Sequence, residues 1–426
     1  MEDASYQGSH VNKILSALKE VWVPQLCKTY NSKTYLLDKL VRSSAGITRS
    51  PSGGKYVNIP LEVNPNTHAG FVPEGGDFVE PGSSSYDDAQ VYLRELYSSA
   101  GFTDRSEAQT KSEVQSVINS WKTATDNAYS AINRSTNRAL YGNQHGGIAR
   151  VDAVSGVGSV GDPFVIEILN KQVFNGNWIR LNEQFCTGTI SGQTATVTAA
   201  NVIIVTKVTR ATGLIEATIK SGSPAPAIGH RLFPFQSQNH SIVGLDQILN
   251  DVTNVFQGLD PATVGEQWRP VRLDGANAAI SVEAIDRLLE QLDIVADVSY
   301  RDGADKVLLM TDLEQRRNLY DEITDKFAFS PQAIDGFKPG GNNWGSIVLP
   351  SGHTMDSSSE FIPRAVAVIN PDDLLLIGPG SGPALLDGKP VQRFDRKARK
   401  EVILQDFLNV GVKRRNSHGI LHNLAV

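Results

Sequence analysis

Ser106 to Gly142 reads SEAQTKSEVQSVINSWKTATDNAYSAINRSTNRALYG, and the periodicity of this stretch decides the fold. Val114, Val117, Ile118, Trp121, Ala124, Ala128, Ile132 and Ala139 recur at steps of three, four or seven. They mark one face of a helix with a 3.6-residue period. Lys111, Glu113, Lys122, Asp126, Arg134 and Arg138 take the opposite face. Ser106 followed by Gln109 is a capping-box start, and Gly142 is a C-terminal stop. A helix over residues 106–141 would be roughly 50 Å long at 1.5 Å per residue, whereas a mean helix has about three turns. A rod of that length with so thin an apolar seam suits a scaffold that spans something, not the wall of a reaction site.

The chain just before the rod has a different character. Val57, Ile59, Leu61 and Val63 alternate on one face of a strand, and residues 89–97 offer a return strand with Val91, Leu93 and Tyr97. Pro60 suits an edge or a two-stranded ribbon better than a central strand. The Gly/Pro/Ser-rich segment between the strands carries Glu74, Asp77, Glu80, Asp87 and Asp88 and no Lys or Arg. A long hairpin with an acidic tip is therefore expected over residues 47–100, and so long a loop needs a partner. Further upstream, residues 11–43 look helical, with an interruption at Pro24. They read either as a packing helix or as an arm that docks on a neighbouring subunit.

Downstream of the rod, Ala139-Leu140-Tyr141-Gly142 and Gly146-Gly147 make a helix stop and a tight turn. No Gly-Lys-Ser/Thr follows, so this is not a phosphate loop. Residues 160–235 are rich in Val, Ile and Thr and read as a small β-domain or an inserted sheet. Residues 240–395 alternate helix and strand. Ser281 caps a helix that carries Ile285, Leu288, Leu289 and Leu292, and Asp312 to Lys326 form another. Two closing strands, Glu401–Val412 and Ile420–Val426, flank the polar turn Lys413-Arg414-Arg415-Asn416-Ser417.

Composition sets outer bounds. With 426 residues, 40% hydrophobic and 20% charged, the chain has ordinary globular usage and room for two or three domains. Its net charge of −6 argues against a dedicated DNA binder. No apolar run approaches the roughly 18 residues of a membrane span, and the first ten residues lack the pattern of a signal peptide. Cys27 and Cys186 cannot make a disulfide framework or a thiolate zinc site, which fits synthesis in a reducing cytoplasm.

The search for chemistry gives nothing positive. His418 and His422 are four apart but lack the Glu of a zinc-protease motif. No Gly-x-Ser-x-Gly elbow exists, and Gly378-Pro379-Gly380-Ser381-Gly382 is a flexible turn without the Lys-Ser/Thr of a phosphate cradle. Asp87-Asp88 and Asp372-Asp373 lie in turns or at helix starts. No enzyme, catalytic residue, metal or cofactor is expected. Two basic clusters remain, Arg393-Phe394-Asp395-Arg396-Lys397-Ala398-Arg399-Lys400 and Lys413-Arg414-Arg415. They read as solvated surface, as nucleic-acid contacts, or as partners of another copy's acidic hairpin, and the last is preferred to nucleic acid.

The order of parts resembles the major capsid protein of tailed bacteriophages, the Hong Kong 97-type fold. The likeness spans nearly the whole chain. Its most specific pieces are Ala139-Leu140-Tyr141-Gly142 with Gly146-Gly147, Val255-Phe256-Gln257-Gly258-Leu259-Asp260 with Trp268-Arg269, and the closing Gly419-Ile420-Leu421-His422-Asn423-Leu424. The resemblance implies an α+β chain that self-assembles into hexamers and pentamers of an icosahedral head shell around double-stranded DNA. It implies an N-terminal arm (1–46), an extended loop (47–100), a spine helix of the peripheral domain (101–159), a β-rich segment or insertion (160–240), an axial domain (241–395) and C-terminal strands (396–426). Scaffolding, portal and decoration proteins are the implied partners besides itself, with only weak, non-specific contact to packaged DNA and none to a membrane. The product would reside in the virion after assembly in the host cytoplasm. Intersubunit contact candidates are Glu74, Asp77, Glu80, Asp87 and Asp88 on one side and Arg393, Arg396, Lys397, Arg399 and Lys400 on the other. Lys55 lies at the loop's base, so no covalent crosslink is expected, and the stretch before the hairpin is too short for a fused scaffolding segment. An encapsulin-like nanocompartment shell is the alternative, with a β-rich tail or adhesin protein and a hydrolase behind it.

Overall fold

The computed structural model describes residues 36–37, 56–74, 76–103, 120–169, 178–209, 212–296, 307–327, 346–349, 352–378, 383–386, 392–393 and 399–425. Most of the expected N-terminal arm, Lys55, the first part of the expected rod (106–119) and the basic residues Arg396 and Lys397 lie outside the described residues. The fold is mixed α+β. Among the described residues no helix is long and apolar enough to cross a membrane.

Strands β1 (Val57–Asn64) and β2 (Ser85–Val91) form an antiparallel ribbon whose register runs from Val57 opposite Val91 to Asn64 opposite Ser85. The return strand therefore ends at Val91, not near residue 97. Tyr92-Leu93 break the line, and β3 (Arg94–Thr103) pairs instead with the C-terminal strand β19 (Arg399–Val412). The described part of the long helix is Ser120–Tyr141, 22 residues. Ala124, Ala128 and Ile132 are buried on its seam as the periodicity requires. Leu140 and Tyr141 are buried as well, and Gly142 ends the helix with its N–H donating to Ala139 O at 3.0 Å.

The described chain divides into two units. The smaller takes the described residues 98–103, 120–131, 385–386, 392–393 and 399–404, and its described core is Ala124 and Val402 against Ala100 and Leu385. Within it β18 (Gln392–Arg393) pairs with the start of β19.

The larger unit holds the remaining described residues. After the helix come β4 (Ala149–Ser155), β5 (Phe164–Ile168), β6 (Gln184–Ser191), β7 (Thr194–Val197), β8 (Val202–Thr209), β9 (Leu214–Ser221) and β10 (Arg231–Pro234). Their order is β10-β4-β5-β9-β8-β6-β7, and β10 also pairs with β6, so six of the seven close into a ring. Alternation fills the interior. In β5, Phe164, Ile166 and Ile168 point inward, joined by Val151, Phe185, Ile203, Val205, Ile215 and Leu232. The ring begins at Ala149, inside the stretch that the resemblance assigns to the rod's domain.

A six-stranded mixed sheet follows. It is built from β11 (Val271–Asp274), β12 (Leu308–Thr311), β13 (Ser346–Val348), β14 (Thr354–Ser357), β15 (Val366–Ile369) and β20 (Gly419–His422), in the order β11-β20-β15-β12-β14-β13. All four residues of β15 are buried because both faces are covered. Val366 and Val368 face the helices Val282–Ala296 and Leu313–Phe327, whereas Ala367 and Ile369 face the other core. Both helices start as the sequence predicts. Ser281 Oγ accepts from Ala284 N at 3.1 Å, and Asp312 accepts from Glu314 N and Gln315 N at 2.8 and 2.7 Å. The two C-terminal strands do not pair with each other: β19 pairs with β16 (Leu374–Ile377), and β20 enters the six-stranded sheet.

Candidate interaction surfaces

The ribbon roots in the core and leaves its outer half exposed. Ile59, Ala89 and Val91 are buried at the root, where Gly411 leaves the space that the Ile59 and Val91 side chains occupy. Gln257 clamps this root. Its carbonyl accepts from Gln90 N at 2.7 Å, its Nε2 donates to Val410 O at 2.9 Å, and its Oε1 accepts from Val412 N at 3.2 Å. Asn409 adds a bond from Nδ2 to Tyr92 O at 2.6 Å. Gln257 has a φ of 52°, an uncommon value for a residue with a side chain, held here by three partners.

Beyond the root, no described residue from 64 to 88 is buried. Among the described residues the loop is tied to itself: His68 N donates to Asn66 Oδ1 at 2.9 Å, and His68 Nδ1 meets Glu80 O at 3.1 Å. Glu74, Asp77 and Glu80 lie in this loop, whereas Asp87 and Asp88 stand on β2 opposite Leu61 and Pro60; all five are exposed. The structure also exposes Phe71 and Phe78 fully, with Val72, Val79 and Tyr86 beside them. The charge reading passed over these rings. Their signal was in the sequence: Phe71-Val72-Pro73-Glu74 and Phe78-Val79-Glu80-Pro81 repeat an apolar pair in a polar loop.

Of the basic candidates, Arg393 and Lys400 stand opposite each other on β18 and β19, and Arg399 precedes Lys400 on β19. Arg396 and Lys397 lie outside the described residues. The second basic cluster is at the surface only in part: Arg414 is exposed and Lys413 half-buried, but Arg415 is not, which corrects the sequence reading at that residue. Arg415 is fully buried. It donates to Ile248 O at 3.0 Å, to Gln247 O at 2.9 Å and to Asp251 O, and its guanidinium lies 4.2 Å over the Phe256 ring. Arg414 pairs with Asp373 at 3.0 Å, and Lys413 Nζ donates to Asp372 O at 3.1 Å. The turn pins the C-terminal strands to the core. His418 is buried and accepts from Asn370 N through Nδ1 at 3.2 Å, and burial lowers its pKa to about 4.

At the end of the long helix lies a buried polar network. Asn137 Oδ1 accepts from Leu37 N at 3.0 Å, and its Nδ2 donates to Glu360. Tyr141 OH donates to Ser358 Oγ at 3.1 Å. Burial pushes Glu360 up to about 7, while Asn137, Arg138, Arg180 and Arg134 pull it partly back. Beside the network opens a cavity of about 400 Å³ lined by Arg94, Tyr97, Thr136, Arg138, Gly142 and Gln236 among others. Arg138 is satisfied there by Glu183 and by Trp178 O, both at 2.7 Å. Arg94 is not: its Nε is buried without a hydrogen-bond partner, and burial alone moves its pKa, downward. Thr136 Oγ1 is also buried and unpaired. Nothing here assembles a nucleophile, base and oxyanion donor.

No family model and no characterised relative matches the sequence. Solved structures do match. The capsid asymmetric unit of cyanophage A-1(L) aligns over 96% of this chain and 98% of that one, at 13% identity and a TM-score of 0.59. The capsid of a native GTA particle aligns over 96% of both chains, at 9% identity and a TM-score of 0.52. The fold is that of phage capsid subunits.

Proposed function

We propose that this chain is the major capsid protein of a tailed bacteriophage, a Hong Kong 97-type subunit that self-assembles into hexamers and pentamers of an icosahedral shell around double-stranded DNA. The observation that carries this reading is the end-to-end match to capsid subunits, over 96% of the chain. The exposed acidic ribbon supports it, because a long two-stranded ribbon with bare phenylalanines is not stable surface for a monomer.

On this reading the ribbon (47–100) is the extended loop that overlaps a neighbour. The long helix is the spine of the peripheral domain (101–159). Residues 160–240 are an insertion, 241–395 the axial domain, and 396–426 return to the peripheral domain. The acidic residues Glu74, Asp77, Glu80, Asp87 and Asp88 face basic side chains of an adjacent subunit, with Arg393, Arg396, Lys397, Arg399 and Lys400 as leading partners. Exposed pairs contribute only about 0–1 kcal/mol each, so they set register more than affinity. The chain performs no reaction. Contact with packaged DNA is weak and indifferent to sequence, since phosphate-driven binding needs clustered free cations. The particle is the virion head, assembled in the host cytoplasm.

Negative-stain microscopy of the expressed chain tests the proposal: closed shells with hexameric and pentameric units are expected. Monomers at high concentration under varied salt, with scaffold supplied, would refute it.

A further inference from the structure

The cavity at the end of the long helix holds a charge that no described residue of the chain answers. We propose that it receives a carboxylate from the 65–84 loop of a second copy, with Arg94 as the counter-charge; this rests on the shell reading above. Among the described residues no carboxylate pairs with the Arg94 guanidinium, and its Nε is buried in the cavity wall without a partner. A half-buried cation with an unpaired, buried Nε costs free energy that an arriving anion returns in part. Thr136 Oγ1, also buried and unpaired, offers a second donor in the same wall. Arg138 and Glu183 neutralise each other at 2.7 Å, and the exposed Glu95 accepts from Tyr97 OH at 3.1 Å. Arg94 is thus the guanidinium of this wall that has no carboxylate partner among the described residues.

The occupant follows from charge complementarity. From Tyr56 to Leu93 the chain carries no Lys or Arg, and its loop presents Glu74, Asp77 and Glu80 fully in solvent beside two exposed phenylalanines. The chain's own loop cannot serve. The paired strand Ser85–Val91 stands between that loop and Arg94, and seven residues at about 3.3 Å each hold the two roughly 20 Å apart. A second copy has no such restraint. One loop carboxylate enters the cavity; the remaining loop acids, with Asp87 and Asp88 on the strand, stay available to the basic β18–β19 segment.

The test uses the full chain. Arg94→Glu should leave the circular dichroism spectrum of the subunit unchanged and lower the yield of sedimenting particles at least tenfold. Adding Glu74→Lys, Asp77→Lys and Glu80→Lys to that variant should restore particles. Normal assembly of R94E, or no recovery in the quadruple variant, would overturn the inference. If R94E does not fold, a cysteine pair decides: Asp77→Cys with Gln236→Cys should give a disulfide-linked dimer in assembled particles, dependent on both changes. Its absence overturns the inference. Failure of the unmodified chain to form shells would sink the shell reading itself, whereas native shells with an indifferent Arg94 sink this inference alone.

Discussion

Glu360 is a carboxyl whose surroundings work against its charge. It is 9% exposed and donates no compensation of its own, so burial raises it from 4.5 to about 7 even though Asn137 and three arginines oppose the shift. The sign of its effect on stability follows. Below pH 4.5 the group is protonated in folded and unfolded chains alike and costs nothing. As pH rises toward 7 the unfolded chain ionises first, so stability falls, and above 7 the loss is complete. Glu360→Gln keeps an acceptor for Asn137 and removes the titration. The variant should match the native chain near pH 4 and exceed it at pH 8 by about 3 kcal/mol. Urea denaturation at the two pH values checks this, and parallel shifts of both proteins would refute it. Arg415 is a second buried charge that burial opposes. Its pKa is lowered to about 10, with Asp251 pulling partly back, but its Nε and Nη2 donate to backbone carbonyls. Arg415→Met removes the donor to three backbone carbonyls and the ring contact with Phe256, so a loss of about 3–5 kcal/mol is expected from denaturant midpoints. A loss under 1 kcal/mol would show that water replaces the guanidinium readily.

The ribbon and the long helix make opposite use of their apolar residues. The helix turns Ala124, Ala128 and Ile132 inward, and the ribbon buries only its root. Phe71→Ser with Phe78→Ser should therefore leave thermal stability within about 0.5 kcal/mol of native, because neither ring touches a core, yet cut the yield of shells sharply. Particles in native yield would mean that the tip lies bare in the assembly. These elements differ in how they showed in the sequence. The helix seam, the cap at Ser281 and the helix beginning at Asp312 were legible because local periodicity and capping chemistry set them. The strand-rich character of 160–235 was legible because Val, Ile and Thr dominate it. Partners distant in the chain were not. Asn137 meets Glu360 across 223 positions, and no local pattern signals that. Arg415 looked like solvated charge, as Arg414 beside it is, because composition cannot reveal the carbonyls of 247, 248 and 251 that it binds. Arg94, between Leu93 and Glu95 on a strand, carried no sequence signal at all.

At the scale of the whole molecule, the ring of strands from Ala149 to Pro234 is the part most nearly complete in itself. A sequence rich in Val, Ile and Thr announced strands, but closure depends on β10 pairing with both β4 and β6, which propensity does not encode. Closure has two consequences. It removes sheet edges along the ring, so the module needs no neighbour to cover them. It also brings the two ends of the segment side by side: Ile148 N donates to Leu232 O at 3.0 Å, and Ala149 stands opposite Leu232. The interior, from Val151 through Ile166, Phe185 and Ile215 to Leu232, is drawn entirely from within the segment. Residues 147–236 expressed alone should therefore fold, with a β-type circular dichroism spectrum and a single cooperative melt. What binds the module to the rest is both apolar and polar. Trp178 packs against the main core and the Tyr141 ring, and Phe233 meets His145. Arg138 pairs with Glu183, Asn239 with the backbone of Ala195, and Gln193 with Asp251. Replacing 149–234 by a short Gly-Ser linker should accordingly cost the remaining chain those contacts but not its other cores, and leave it soluble and cooperatively folded. A disordered fragment, or a remainder that aggregates when the ring is excised, would show that the ring is a structural part of the shell subunit and not a separable addition to it.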